Sequence, residues 1–436
     1  MSITRRSFMR ASTAAAAMAG ASACAGPGAG RATAADPGAT DPRFASLAGY
    51  CDGVTPVSED ERAAHRDRAR RLATERGYAA LVMEAGVNLH HLTGVRWRPS
   101  ERPLLYVLPS DGDPFFIGPS FEEGTLREAF TGAPALFTWR EHESPYALAV
   151  RVLGERGVRA GRIGCDPAMR WFVVDGLTRA DARLSFQSGA DAYEALRMHK
   201  SEAELSRLER ANQATKAALA AVAGQIEVGM DEDQVTALVR AAQESAGLTN
   251  VWALVAFGEH AAFPHGTRAR RPLAEGDLIL CDTGGDLYGY HSDITRTWPM
   301  GEPSAQAREA WDTVLAAQAA AMEWIRPGVT CGQVDAVARE HMAAAGHGSD
   351  YERFTHRLGH GIGREGHEPP YLVRDSERVL EPGMTMSNEP GIYIPGVLGV
   401  RIEDIVAVTD TGHEVFGPLP RSLDDPFGLS SQADKM

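Results

Sequence analysis

Asp282, Asp293, His360, Glu389 and Glu403 are four carboxylates and one imidazole whose surroundings suit metal ligation. Asp282 ends the run Leu278-Ile279-Leu280-Cys281, which is apolar enough to form a strand buried on both faces. A carboxylate in such a place is costly without a cation. Asp293 follows Thr283–Ser292, where Gly284-Gly285 and Tyr288-Gly289 permit a hairpin. The eleven-position separation is expected to set Asp282 and Asp293 directly opposite one another. Facing carboxylates repel unless they share a proton or a metal. Asp286 reads instead as a solvated turn residue.

The stretch His356-Arg357-Leu358-Gly359-His360-Gly361-Ile362-Gly363, continued by Gly366-His367-Glu368-Pro369-Pro370, gathers three histidines among several glycines. Glycine lets backbone come close to a site, and imidazole is the commonest nitrogen ligand. Glu389 lies in Ser387-Asn388-Glu389-Pro390-Gly391, and Glu403 in Val400-Arg401-Ile402-Glu403-Asp404 on a final alternating strand. An oxygen-rich set of this kind favours Mn²⁺, Fe²⁺, Co²⁺ or Zn²⁺ over copper and carries enough charge for two divalent ions. Two ions can share a water, lower its pKa and polarise a carbonyl.

An internal duplication predicts how these residues are positioned. Ile226-x-x-Gly229, Gln234-Val235 and Ala246-Gly247 recur 99 positions later as Ile325-x-x-Gly328, Gln333-Val334 and Ala345-Gly346. Leu273 through Asp282 matches Leu380 through Glu389 at a spacing of 107, which makes Glu389 the counterpart of Asp282. Each half reads as helix, turn, helix, His-Gly loop and an apolar strand ending in a carboxylate. The halves are expected to pack as pseudo-symmetric partners with the carboxylates meeting between them. A capping box, Ser201-x-x-Glu204, opens a long amphipathic helix at the head of this region.

Ahead of it, residues 58–190 read as a complete α/β domain. A helix is expected from Ser58 to Arg76, strands at Tyr78–Met83 and Arg162–Cys165, a hairpin across Ser110–Asp113, and a helix opening at Trp171–Leu177. Residues 36–57 belong to a Gly-, Ala-, Pro- and Asp-rich linker, and residues 423–436 form a tail. The first 35 residues differ in kind. Thr4-Arg5-Arg6-Ser7-Phe8-Met9 precedes a weakly apolar alanine-rich stretch, the pattern of an export signal of the twin-arginine type. That implies passage through the twin-arginine machinery to the periplasm or outside. Cys24 offers a lipoprotein alternative that lacks the usual bulky residue three positions before it.

With 436 residues and a formal charge of −14, the chain suits two domains and does not suit a phosphate-tracking surface, so nucleic acid is not an expected partner. The five cysteines show no metal-like spacing and read as buried thiols, with Cys51 the one in a loop-like, exposable stretch.

Phe263-Pro264-His265-Gly266, Cys281-Asp282, Ser292-Asp293-Ile294-Thr295-Arg296-Thr297, Gly359-His360-Gly361-Ile362-Gly363, Asn388-Glu389-Pro390 and Arg401-Ile402-Glu403-Asp404 together resemble the pita-bread metallopeptidases. That family includes methionine aminopeptidase, aminopeptidase P, prolidase and creatinase. The resemblance covers roughly residues 196–410, and Asn88 to Gly94 resembles part of the creatinase-type N-terminal domain. It implies an α+β fold: a pita-bread catalytic domain over 196–422, with an internal pseudo-twofold repeat, preceded by a smaller creatinase-like α/β domain. It implies one metal on Asp282 and Asp293, another on His360 and Glu389, and bridging by Asp293 and Glu403, with Mn²⁺ first among the candidates. Glu389 would accept the proton of the attacking water, while His265 and His367 would contact substrate. His356 and Arg401 resemble the Xaa-Pro branch, whose substrate carries proline in second position; a homodimer follows from the resemblance alone.

Between aminopeptidase P and prolidase the sequence leans to the former. A small-molecule hydrolase or lyase on the same scaffold is the alternative, and a binding protein with a dead site is disfavoured by the intact ligand set. Of the remaining histidines, His65, His90, His199, His341, His347 and His413 read as surface or packing residues, while His260 and His291 lie closer to the site in sequence.

Overall fold

The computed structural model describes residues 41–130 and 134–429; the expected export signal, Cys24 and the end of the tail lie outside them. The first helix, α1 (Glu59–Glu75), starts at a capping box in which Ser58 Oγ accepts from Glu61 N and the Glu61 carboxylate accepts from Ser58 N. It is followed by β1 (Tyr78–Glu84), α2 (Val87–Thr93), β2 (Leu105–Pro109), β3 (Phe115–Pro119), α3 (Glu123–Ala129) and β4 (Ala135–Trp139). Then come α4 (Pro145–Glu155), β5 (Gly161–Cys165), α5 (Trp171–Ala180), β6 (Leu184–Ser188) and α6 (Ala190–Met198). The six strands form one mixed sheet ordered β4-β3-β2-β1-β5-β6. Its strands alternate cleanly between two cores. Leu81 and Met83 of β1 pack with α1, α2 and α6 residues, whereas Ala80 and Val82 pack with Val152 of α4 and Val173 of α5. Helices on both faces explain why β1 to β3 are buried along almost their whole length.

The second region opens with α7 (Glu202–Ala223) and α8 (Glu232–Ser245), followed by β7 (Thr249–Phe257), β8 (Leu278–Leu287), β9 (Tyr290–His291) and β10 (Ile294–Pro299). It repeats with α9 (Ala305–Met322), α10 (Cys331–Ala344), β11 (Gly359–Gly361), β12 (Glu368–Leu372) and β13 (Thr385–Asn388). Then β14 (Gly391–Ile394), β15 (Leu398–Arg401), β16 (Asp404–Val408) and β17 (His413–Val415) follow. The sheet order β7-β8-β10 in the first half recurs as β11-β13-β16 in the second, antiparallel throughout. The capping boxes of α8 (Asp231 with Gln234) and α10 (Thr330 with Gln333) occupy matching places. The duplication is thus a repeat of helix pair plus three strands. The two regions meet through ion pairs, among them Arg197–Glu368 at 3.2 Å and Arg207–Glu61 at 2.7 Å.

Part of the stretch expected to be linker is packed. Residues Pro42–Leu47 form a 3-10 helix whose Phe44 is fully buried, and Leu47 and Cys51 join the core built on α7 and α8. Arg210 donates to Tyr50 O at 2.8 Å and Arg207 Nε to Thr55 O at 2.8 Å, fastening the rest. The expectation of an exposable Cys51 is corrected with it: all four cysteines among the described residues are free and buried. A composition rich in Gly and Pro masked two apolar anchors whose contacts are long-range. No helix among the described residues is long and apolar enough to cross a membrane.

Candidate metal centre

The structure brings all nine sequence-nominated residues into one cavity of about 500 Å³ at the junction of the two halves: His265, Asp282, Asp293, His356, His360, His367, Glu389, Arg401 and Glu403. Asp282 lies in the middle of β8 rather than at its end, because the strand runs on to Leu287. Asp282 pairs with Thr295, not Asp293. The reason is the turn. Leu287 pairs with Tyr290, and Tyr288 and Gly289, both at positive φ, are the two central residues, a hairpin of the type that suits strand twist. That register carries through to β10 and leaves Asp293 two residues beyond Asp282's partner, a diagonal neighbour on the same face. Leu254 of β7 also pairs with Asp282, so this face presents Leu254, Asp282 and Thr295 side by side. In the second half Asn388 pairs with Asp404, and the next residue outward on each strand is Glu389 and Glu403.

His360 sits on β11 between Gly359 and Gly361. A Cβ on Gly359 would lie 2.0 Å from Ser387 O, and one on Gly361 would lie 2.3 Å from Glu368 O, so strands approach here as only glycine allows. His360 Nδ1 is 3.1 Å from Gly361 O, which can only accept, so the proton is on Nδ1 and the Nε2 lone pair faces outward. It faces Glu389 Oε1 at 3.3 Å and Asp293 Oδ2 at 3.6 Å. A lone pair aimed at carboxylate oxygens is favourable only with a proton or a metal cation between them. Ligand atoms of His360, Glu389 and Glu403 lie within 4.8 Å of one another, as do those of Asp282, Asp293 and Glu403. His367, stacked on His360 at 3.7 Å, joins Asp293 and His360 in a third such group.

The electrostatics point the same way. Asp282 Oδ1, Asp293 Oδ1 and Glu403 Oε1 are buried with no hydrogen-bond partner among the described residues. Burial, then the neighbouring carboxylates, hold Asp293 and Glu403 well above the usual carboxylate range. Burial pushes Glu389 up to about 7 against the pull of Arg401, and it pushes His360 down to about 3. One guanidinium, that of Arg401 on Asp282, does not balance four carboxylates, so the donor set fits divalent ions in chemistry and in charge.

The other nominated residues divide into two groups. His265 and His367 are exposed and line the cavity. Arg401 is fully committed: it donates to Thr295 Oγ1 at 3.0 Å, Pro264 O at 3.1 Å and Tyr393 OH at 2.9 Å, and pairs with Asp282. His356 is committed too, through Nδ1 to Arg357 O and Nε2 to Tyr393 OH, both at 2.8 Å. The polar atoms of both are thus taken up by protein partners. His260 pairs with Glu232 outside the cavity, and His291 lines a separate cavity at the seam with α2. The sequence reading missed Tyr393, which links His356 to Arg401, and Thr295, whose hydroxyl donates to Glu403 Oε2 at 2.7 Å. It also missed Trp252, Leu254 and Arg357 in the cavity wall. Thr295 was readable from its place across the hairpin; Tyr393 and Arg357 had no local signal.

Comparison with known proteins agrees with this geometry. The profile of Metallopeptidase family M24 matches residues 206–410, and that of the Creatinase/Prolidase N-terminal domain matches residues 65–199. The Probable dipeptidase PepE of Mycobacterium tuberculosis is 39% identical over 366 residues, which span 81% of this chain and 96% of that protein. The crystal structure of dipeptidase PepE from Mycobacterium ulcerans superposes with a TM-score of 0.79 at 35% identity, covering 84% of this chain and 98% of the other. An Xaa-Pro dipeptidase from Bacillus anthracis gives 0.71 at 30% identity, covering 81% and 97%. The chain belongs to metallopeptidase family M24, with a creatinase-type N-terminal domain ahead of a pita-bread catalytic domain.

Proposed function

We propose that the protein is an exported exopeptidase that hydrolyses the bond before proline in Xaa-Pro dipeptides. One observation carries the reading: four carboxylates and His360 converge in one cavity, with three buried carboxylate oxygens left without a hydrogen-bond partner among the described residues. Asp282, Asp293, His360, Glu389 and Glu403 would hold two divalent ions, Mn²⁺ first among them. Bound there, such ions would lower the pKa of a water and polarise the scissile carbonyl. The side chains do the rest. Glu389, whose Oε1 Ser387 Oγ steadies at 3.0 Å, would take the proton of the attacking water. His265 and His367 are placed to donate to the carbonyl oxygen as its charge develops. Trp252 and Leu254 give the β7 wall an apolar surface for a substrate side chain.

The lean toward aminopeptidase P gives way to a dipeptidase, since the relatives named above are dipeptidases. Export rests on Arg5-Arg6 and the alanine-rich stretch behind them, and a homodimer rests on the family alone. The test uses chain begun at Asp36 and loaded with Mn²⁺, offered Leu-Pro, Leu-Pro-Gly and Leu-Ala-Gly, with Glu389→Gln as control. Cleavage of Leu-Pro that the variant lacks is expected. Cleavage of Leu-Pro-Gly at an equal rate would make it an aminopeptidase, and cleavage of none would turn the reading toward small-molecule hydrolysis or elimination on this scaffold.

A further inference from the structure

We propose that the seam between the N-terminal and catalytic domains is a binding site for a phosphate group, held by Arg364, Arg96 and Arg62. Two cavities of about 410 and 120 Å³ lie there, and Arg364, Arg96 and His90 line both. Each domain contributes. His90 belongs to α2, Arg96 to the loop behind it and Arg62 to α1, while Asp286 and His291 come from β8 and β9 and Arg364 from the turn between β11 and β12. Arg364 is 6% exposed, and its Nε is buried with no hydrogen-bond partner among the described residues. Its other two nitrogens donate to uncharged atoms, Tyr288 O at 3.2 Å and His90 Nδ1 at 2.5 Å. Neither Arg364 nor Arg96 forms an ion pair among the described residues, and Arg62 has Glu59 at 3.7 Å. A guanidinium buried without an anion is costly, so the seam calls for an anion that the chain does not itself supply.

Glycines make the room for these cations. A Cβ on Gly289 would lie 2.5 Å from Arg364 Nη1, and one on Gly94 would lie 2.7 Å from Arg62 Nε. The charges converge on His90: burial, then Arg364, Arg96 and Arg62 in turn, lower its imidazole to about 3. Because the neutral ring accepts from Arg364 at Nδ1, its proton sits on Nε2 as a further donor. Asp286 is the one carboxylate lining either cavity, and it accepts from Gly289 N. Three positive charges against one, brought in by three separate segments, match the double charge and several oxygens of phosphate better than the single charge of a carboxylate. The larger cavity also has room for the organic part of a phosphate ester. Phosphate bound here would tie α2 to a residue four positions beyond His360, and so join the two domains close to a metal ligand.

The test is calorimetry of the full chain with inorganic phosphate at constant ionic strength, in Mn²⁺-loaded protein and again after chelation. One saturable site is expected in both states. Arg364→Met should abolish it, and Arg96→Gln, a change at an exposed position, should weaken it by about 10-fold and decides the matter if the first variant does not fold. Acetate should bind at least about 10-fold more weakly than phosphate. Glycerol phosphate separates the two sources: tighter binding than inorganic phosphate marks an ester as the ligand, and weaker binding marks the free ion. No binding to wild type, full binding by the variants, or acetate binding as well as phosphate would overturn the site. Binding that vanishes on chelation would also overturn it, since the ion would then sit on the metals.

Discussion

Glu403 and Asp404 are neighbours in the chain, both buried, and they live in opposite electrostatic worlds. Asp404 meets Arg296 at 2.7 Å, Lys216 and Gln318, and its carboxyl is held below the usual value because these cations outweigh the burial. Glu403 meets Asp282, Asp293 and Glu389 across the cavity, and burial with like charge holds it well above. The alternation of the chain at the start of β16 sends one carboxylate to each side. The protein thus surrounds one buried acid with two cations of its own, and one residue away sets four carboxylates against the single guanidinium of Arg401. Withheld counter-charge, rather than acidity as such, distinguishes a cation site from a structural ion pair.

The largest expected effect breaks the Glu403 side. Glu403→Gln should lower metal content and reduce kcat/KM on the order of 10³-fold, the loss of several kcal/mol of charge stabilisation. It should not lower the melting temperature of the metal-free protein, because it removes a repulsive charge. Asp404→Asn should do the reverse. It leaves Arg296 and Lys216 buried without their anion and should cost about 3 kcal/mol of stability by denaturant titration. If both variants lose stability alike in the metal-free state, the contrast is wrong. The third effect is smaller and graded with pH. A carboxyl whose folded value is raised makes the folded state bind more protons, so stability is greatest at low pH and falls as pH rises from the ordinary value of 4.5 toward about 7 for Glu389. Asp404 has the opposite sign, its contribution being lost as pH falls below the ordinary 3.8. Melting temperatures of metal-free protein should therefore decline between pH 5 and about pH 8 by an amount that saturating Mn²⁺ abolishes. A flat metal-free profile would remove the case for unneutralised carboxylates.

Much of this site was legible before any coordinates. The ligands sit in short motifs inside a duplication, and local patterns of glycine, histidine and apolar strand survive into structure. What was not legible depended on contacts between distant segments. The register that pairs Asp282 with Thr295 could have been had from Tyr288-Gly289, since a glycine requiring positive φ fixes the centre of a two-residue turn. No comparable signal announced that Tyr393 would occupy His356 Nε2, or that Arg401 would spend its donors on Asp282 and Pro264. The same holds for Cys51, whose Cβ side packs against Gly247, nearly 200 positions away.

The small helix at Pro42–Leu47 sets a boundary on proteolytic maturation. A peptidase that trims the amino terminus meets the packed body at Asp41, whose carboxylate caps that helix by accepting from Arg43 N. Beyond that point each cut removes a wedge from the roof of α7 and α8. Phe44 alone is worth about 1.5–3 kcal/mol of buried surface. Any trimming that preserves this packing must end before residue 41, since the ten residues after it belong to the catalytic body.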